Sequence, residues 1–175
     1  MACVSNRRLA GLFSASLFAA LVISGCLDGP AETVDPDVCG PSSATVVRVI
    51  DGDTVELDTG DRVRYLMIDA PENTSKKECY GAEATAANAA MVSGEVVSLT
   101  YDVECEDKYG RLLAYLRVGD TPVNETLVAD GFACVLRIAP NGAERASTFN
   151  ALQRVAKEDG RGLWGSCAEE LPCGN

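Results

Sequence analysis

Histidine is absent from all 175 residues. Imidazole acid–base chemistry and histidine-bound zinc are therefore excluded, and any hydrolytic chemistry must run on carboxylate, arginine and metal. Basic residues are scarce: Lys and Arg total 15 against 26 Asp and Glu, for a formal net charge of −11. That balance argues against a nucleic-acid binder relying on a broad basic surface, and leaves room only for a small local positive patch. Divalent cations or salt would relieve the repulsion of a polyanion. No Cys-x-x-Cys pair occurs, which removes the usual sulfur-based zinc arrangement as well. No internal repeat or low-complexity stretch interrupts the chain after the first forty or so residues.

One long apolar run is present, at residues 9–23, preceded by Arg7 and Arg8. It is too short for a comfortable membrane span and has the layout of a secretory signal. It closes on Ile23-Ser24-Gly25-Cys26, which resembles a bacterial lipobox. Residues 1–25 thus read as a lipoprotein signal peptide, with Cys26 as the lipidated first residue of the exported chain. The plainer alternative is an ordinary cleaved signal with Cys26 as a structural thiol. Residues 26–43 are rich in Pro, Gly, Asp and Ser and read as the lipidated N-terminus and a flexible tether. The folded domain is expected over 44–167, with a C-terminal tail at 168–175. The expected location is outside the cytoplasm, anchored through the N-terminal lipid to a bacterial membrane, on its periplasmic side or at the cell surface.

Of the eight cysteines, Cys3 falls in the signal and Cys26 at its end. Cys39, Cys79, Cys105, Cys134, Cys167 and Cys173 remain, an even number that suggests disulfides in an exported chain. Six cysteines allow about fifteen pairings, and spacing does not choose among them.

Strands are predicted at 46–50, 55–57 and 62–68, joined by turns rich in Asp and Gly. The alanine-rich stretch 81–92 predicts a helix ended by Ser93-Gly94. Strands at 96–103 and 112–118 follow, then a helix over 123–130 closed by Gly131. A last helix carries Phe149, Leu152, Val155 and Ala156 at helical spacing and stops at Gly160. The fold class is α+β and mainly β, a five-stranded OB-type barrel with three helices.

Three runs concentrate the reactive side chains: Asp51-Gly52-Asp53-Thr54, the segment from Arg64 to Asp69-Ala70-Pro71-Glu72, and Asp107-Lys108-Tyr109-Gly110-Arg111. Each alone is an ordinary turn or strand end. Together, acids from adjacent strand ends can hold a hard cation such as Ca²⁺ in a sparse, partly hydrated site. Arginine forks match phosphate and stay charged at any working pH. The combination suits phosphodiester cleavage.

In this order the runs resemble the thermonuclease, or staphylococcal nuclease-like, family. The resemblance continues through Tyr80-Gly81-Ala82-Glu83-Ala84, Leu113-Ala114-Tyr115, Val123-Asn124-Glu125, Leu127-Val128 and Gly162-Leu163-Trp164. It implies an OB-fold enzyme that cleaves DNA and RNA with Ca²⁺ at the bond to the 5′ oxygen, leaving 3′-phosphates. Asp53 and Asp69 match the metal carboxylates, Ala70 the residue lending a backbone carbonyl, and Asp51 a nearby second-sphere acid. Glu72 matches the residue that takes or steers the proton of the attacking water. Arg64 and Arg111 match the phosphate clamps, and Lys108 and Tyr109 match contacts to a terminal phosphate. No protein partner is implied, and a monomer is expected. The alternative is a catalytically inactive OB module binding nucleic acid or protein.

Departures from the family pattern are also legible. Cys134-Val135-Leu136-Arg137-Ile138 stands where the archetype places tyrosines beside the base. The loop at 73–79 is shorter but keeps Lys76 and Lys77. The resemblance suggests a Cys79–Cys167 bridge, because those regions are neighbours in the family fold; Cys105–Cys134 and Cys39–Cys173 would then remain.

Overall fold

A computed structural model of the chain describes residues 39–74, 76–167 and 172. The signal peptide, Cys26, most of the tether, Cys173 and nearly all of the C-terminal tail lie outside the described residues. Among the described residues, no helix is long and apolar enough to cross a membrane.

Strands β1 (Ser43–Val49), β2 (Thr54–Leu57) and β3 (Arg62–Tyr65) form an antiparallel meander. After β4 (Ile68–Asp69) and helix α1 (Gly81–Val92), β5 (Val96–Glu106) pairs antiparallel with β1, and β6 (Leu112–Val118) with β5. The ring closes where β6 lies parallel to β3, with Val63 beside Leu112 and Arg64 beside Leu113. Five strands, β1, β2, β3, β5 and β6, thus make a closed OB-type barrel, as the strand order predicts. Closure removes the free sheet edges that would otherwise template aggregation.

Alternation along the strands puts one row of side chains inside. Val46, Val55, Leu57, Val63, Tyr65, Val97, Leu99, Leu112, Ala114 and Leu116 fill the interior, all buried. Helix α1 packs through Gly81, Ala84, Asn88 and Val92, three or four residues apart. Small side chains on most of that stripe let the helix approach closely. Helices α2 (Val123–Ala129), α3 (Ala146–Glu158) and the one-turn α4 (Leu163–Ser166) complete the fold, with β7 (Thr121–Pro122) and β8 (Cys134–Val135) as short additions. On α3, Phe149 and Ala156 face the core, whereas Val155 lies at the exposed edge.

The predicted strand at 62–68 is two strands. Met67 takes a left-handed conformation at φ 68°, so β4 turns away from the barrel and pairs with β8. The guanidinium of Arg64 fastens this corner, its Nη1 donating to the carbonyls of Tyr65 (3.0 Å) and Ile68 (2.7 Å). Asn124, wholly buried on α2, holds the same corner to β6: its amide donates to the carbonyls of Leu66 (2.9 Å) and Ala114 (3.3 Å), and its Oδ1 accepts from the Leu116 N–H (2.9 Å). Asn124→Ala is expected to destabilise the domain by about 3 kcal/mol, since it strands buried backbone groups without water. Urea unfolding would check it.

Two disulfides are defined among the described residues. Cys79–Cys167 ties the start of α1 to the end of α4, as the resemblance suggests. Cys105 pairs with Cys39, which corrects both other expected bridges, Cys105–Cys134 and Cys39–Cys173. The physical reason is local. Ser42 accepts the Leu99 N–H, Pro41 accepts the Tyr101 hydroxyl at 2.8 Å, and the segment before β1 therefore lies along β5, within reach of Cys105. Cys134 is disulfide-bonded too.

Candidate active site

The turn between β1 and β2 carries Asp51 and Asp53. The Asp51 carboxylate accepts the Asp53 N–H at 3.0 Å, an Asx-type turn, while the N–H groups of Ile50 and Asp51 both reach the Thr54 carbonyl. Gly52 separates the acids for a steric reason. A Cβ there would lie 2.5 Å from the Cβ of Ala70 and 3.0 Å from that of Ala84, so only glycine lets the turn press against both. A buried polar chain supports it from behind: Tyr65 donates its hydroxyl to Asn88 Oδ1 (2.9 Å), and Asn88 Nδ2 donates to the Asp51 carbonyl (2.9 Å).

Asp53, Asp69, Ala70 and Arg64 meet at this turn. Asp53 Oδ2 accepts the Ala70 N–H at 2.7 Å and faces Arg64 Nη2 at 3.1 Å; the same Nη2 donates to Asp69 Oδ1 at 2.7 Å. Arg64 thus bridges both acids. Its side chain is 15% exposed and that of Asp53 only 6%, so this pair is largely out of water, while Asp69 opens to solvent at 42%. Burial drives the Asp53 pKa up to about 7 against the pull of Arg64, and the charges of Asp51 and Asp69 push it the same way. Asp69 is raised as well, chiefly by burial, with Glu78 and Asp51 adding to it and Arg64 opposing. One guanidinium therefore serves a cluster of mutually repelling carboxylates. Among the described residues, no group of three or more acidic or sulfur ligands forms a ready-made metal cage. What meets here are the carboxylates of Asp53 and Asp69, with Ala70 bonded through its N–H and Asp51 in the same turn. Hard oxygen donors with excess negative charge fit a hard divalent cation.

Glu72 stands apart. It is exposed, among the described residues its carboxylate accepts only the Thr74 hydroxyl (2.9 Å), and it makes no hydrogen bond or ion pair with Asp53, Asp69, Arg64 or Arg111. Its backbone is fixed. Glu78 accepts the Glu72 N–H at 3.1 Å and returns its own N–H to the Glu72 carbonyl, while Gly81 presses so close that a Cβ would lie 2.4 Å from that carbonyl oxygen. Sequence reasoning missed Glu78, whose only signal was its place after two lysines and before Cys79.

Arg111 enters β6 under firm control of Asp107, which accepts from its Nε (2.7 Å), Nη2 (2.6 Å) and backbone N–H (3.1 Å). Burial acts against the Asp107 carboxylate, but these bonds outweigh it and hold its pKa below the usual range. Asp107 is a second missed residue; the turn motif itself was the available signal. Both Lys108 Nζ (5.0 Å) and the Arg111 guanidinium (5.5 Å) lie over the ring of Tyr109, which is 72% exposed.

Arg64, Lys108, Tyr109 and Arg111 line one cavity of about 610 Å³. Leu136 and Ile138 from the tyrosine-lacking segment line it too. The structure therefore sorts the expected residues into an acid cluster and an arginine–tyrosine cavity, with Arg64 belonging to both and Glu72 on the adjoining loop.

A family profile described as "Staphylococcal nuclease homologue" matches residues 62–166. The chain is 36% identical over 143 residues to the thermonuclease of Staphylococcus intermedius, covering 78% of this chain and 84% of that protein. It is 37% identical over 144 residues to an uncharacterized endonuclease of Escherichia coli O157:H7, covering 78% and 86% respectively. Against the endonuclease YncB of Bacillus subtilis identity is 35% over 129 residues, 70% of this chain but only 61% of that protein.

Proposed function

Because the chain belongs to the staphylococcal nuclease family, we propose that it hydrolyses phosphodiester bonds of DNA and RNA with Ca²⁺. The observation that carries this reading is Arg64, which joins a buried, charge-rich acid cluster to a cavity lined by a second arginine. Asp53, Asp69 and the Ala70 carbonyl would hold the ion, with Asp51 supporting them. Bound there, Ca²⁺ supplies positive charge to the scissile phosphate and a site for water.

The protein's own groups do the rest. Once the two acids are otherwise neutralised, Arg64 can turn donors to phosphate, and Arg111 presents a fork held in place by Asp107. Both stabilise charge that builds on the phosphoryl oxygens during attack. The water oxygen bonds to phosphorus and its proton passes to Glu72, whose carboxylate pairs with no cation among the described residues. The bond to the 5′ oxygen breaks, and that oxygen takes a proton from solvent, leaving a 5′-hydroxyl and a 3′-phosphate. Lys108 and Tyr109, which line the same cavity, would contact a terminal phosphate and its nucleotide. The test is cleavage of denatured DNA by the full chain in Ca²⁺, in chelator, and as Glu72→Gln. Chelation should abolish turnover and the variant should lose about 10²–10⁴-fold in kcat. Equal rates with and without Ca²⁺ would refute the reading.

The same proposal places the enzyme outside the cytoplasm as a lipid-anchored monomer. Its disulfides support an oxidising compartment. Mass spectrometry of the N-terminal peptide, intact and as Cys26→Ala, tests the anchor.

A further inference from the structure

We infer that Arg62 forms an additional phosphate subsite, which extends the nucleic-acid track beyond the cavity that holds Arg64 and Arg111; the inference rests on the nuclease reading. Along β3 the exposed and buried side chains alternate, so Arg62 and Arg64 lie on the same outer face of the barrel. The parallel register pairs Val63 with Leu112 and Arg64 with Leu113, and one step earlier it sets Arg62 beside Arg111. Three guanidinia thus share the seam where the barrel closes.

A second cavity, about 470 Å³, opens on the other side of Tyr109 and Arg111, which line both cavities. Arg62 lines this second one, together with the turn residues Gly60 and Asp61. The Asp61 carboxylate accepts the hydroxyl of Thr59 at 2.8 Å within its own turn. Among the described residues, Arg62 has a single ion-pair partner, Glu56, at 4.0 Å, the outer limit of an ion pair, and its side chain remains 61% exposed. That same Glu56 oxygen is bonded to Arg48, the residue opposite it on β1. The cavity's own lining sets Arg62 and Arg111 against one carboxylate, Asp61, on a chain that is strongly acidic as a whole. A polyanionic strand with one phosphate at Arg64 and Arg111 and a base against Tyr109 would find its next positive contact at Arg62. Exposed phosphate contacts of this kind add affinity without reading sequence.

The subsite predicts a dependence on strand length. Cleavage of a single-stranded 20-mer and of a trinucleotide should be compared in Ca²⁺, with 20-mer affinity measured by fluorescence anisotropy over a salt series in the Glu72→Gln background. Arg62→Ala should raise KM for the 20-mer about tenfold more than for the trinucleotide, and reduce the slope of log Kd against log salt by about 0.7. Glu56→Gln, which removes the shared counter-charge, should move the ratio of the two KM values the opposite way. If Arg62→Ala leaves that ratio and the salt slope unchanged, the subsite is wrong, whatever Glu56→Gln does. A wild-type chain that cleaves neither substrate, yet binds the 20-mer through Arg62, would instead overturn the hydrolytic reading and keep the subsite.

Discussion

Arg64→Ala is expected to lose about 10²–10³-fold in kcat, the effect of removing one donor to the transition-state oxyanion, and to unfold more readily by about 3 kcal/mol. The two losses have separate causes. For turnover, the proposed mechanism makes Arg64 one of two forks available to the phosphoryl oxygens. For stability, its removal leaves Asp53 buried beside Asp69 and Asp51 with no cation, and also frees the carbonyls of Tyr65 and Ile68 at the corner where β4 leaves the barrel. Breaking one side of a buried ion pair costs more than the pair contributed, because the remaining charge has no water to turn to. The variant therefore carries a signature that a simple packing defect lacks. Ca²⁺ should stabilise the variant more than it stabilises wild type, because in the variant the ion would not have to displace Arg64 from the two acids. Urea unfolding with Ca²⁺ and with chelator, beside steady-state rates, measures both. A variant as stable as wild type in chelator would mean that the Arg64 pairs hold nothing together.

Reduction of the disulfides is expected to have a comparable effect on the whole fold. The bridges Cys39–Cys105 and Cys79–Cys167 span 66 and 88 residues, and each on its own removes chain entropy worth about 4 kcal/mol from the unfolded state. Their loops overlap between 79 and 105, so the joint contribution is below the sum. It is still a large share of the roughly 5–15 kcal/mol that holds an ordinary domain together. Dithiothreitol should therefore shift the urea midpoint far to the low side, or unfold the domain without urea. Unfolding curves in oxidised and reduced buffer decide it: superimposable curves would show that the barrel core suffices alone.

The sequence made the barrel legible because β-branched runs and Asp–Gly turns alternate from residue 44 onward, and a closed ring accounts for that order. It did not reveal the break at Met67. Nothing in Tyr65-Leu66-Met67-Ile68 differs from a continuous strand; the left-handed corner exists because Arg64 and Asn124 bind its carbonyls from other directions. The acid and arginine positions could be read from their spacing and from the resemblance that spacing carries. Their supports could not. Asn88 and Tyr65 read as part of a helix and a strand, and only packing of α1 against the barrel links the Tyr65 hydroxyl to Asn88 and Asn88 to the Asp51 carbonyl. Cysteine pairing divides the same way. Cys79 and Cys167 flank elements whose neighbourhood the resemblance supplied. Cys39 sits in a segment with no periodicity, and its partner was set by contacts along β5.

The parallel pairing of β3 with β6 has a consequence for how the domain comes to be. It joins segments far apart in the chain, with β4, α1 and β5 between them, so its contacts carry a high closure entropy and belong to the later stages of folding. Arg64 and Arg111 face one cavity only after that pairing is made. A chain that has formed its first hairpins but not this seam holds all of the reactive side chains and none of the arrangement. The proposed activity would then switch on with the final step of folding; under the proposed export, that step falls outside the compartment where nucleic acid of the chain's own cell lies exposed.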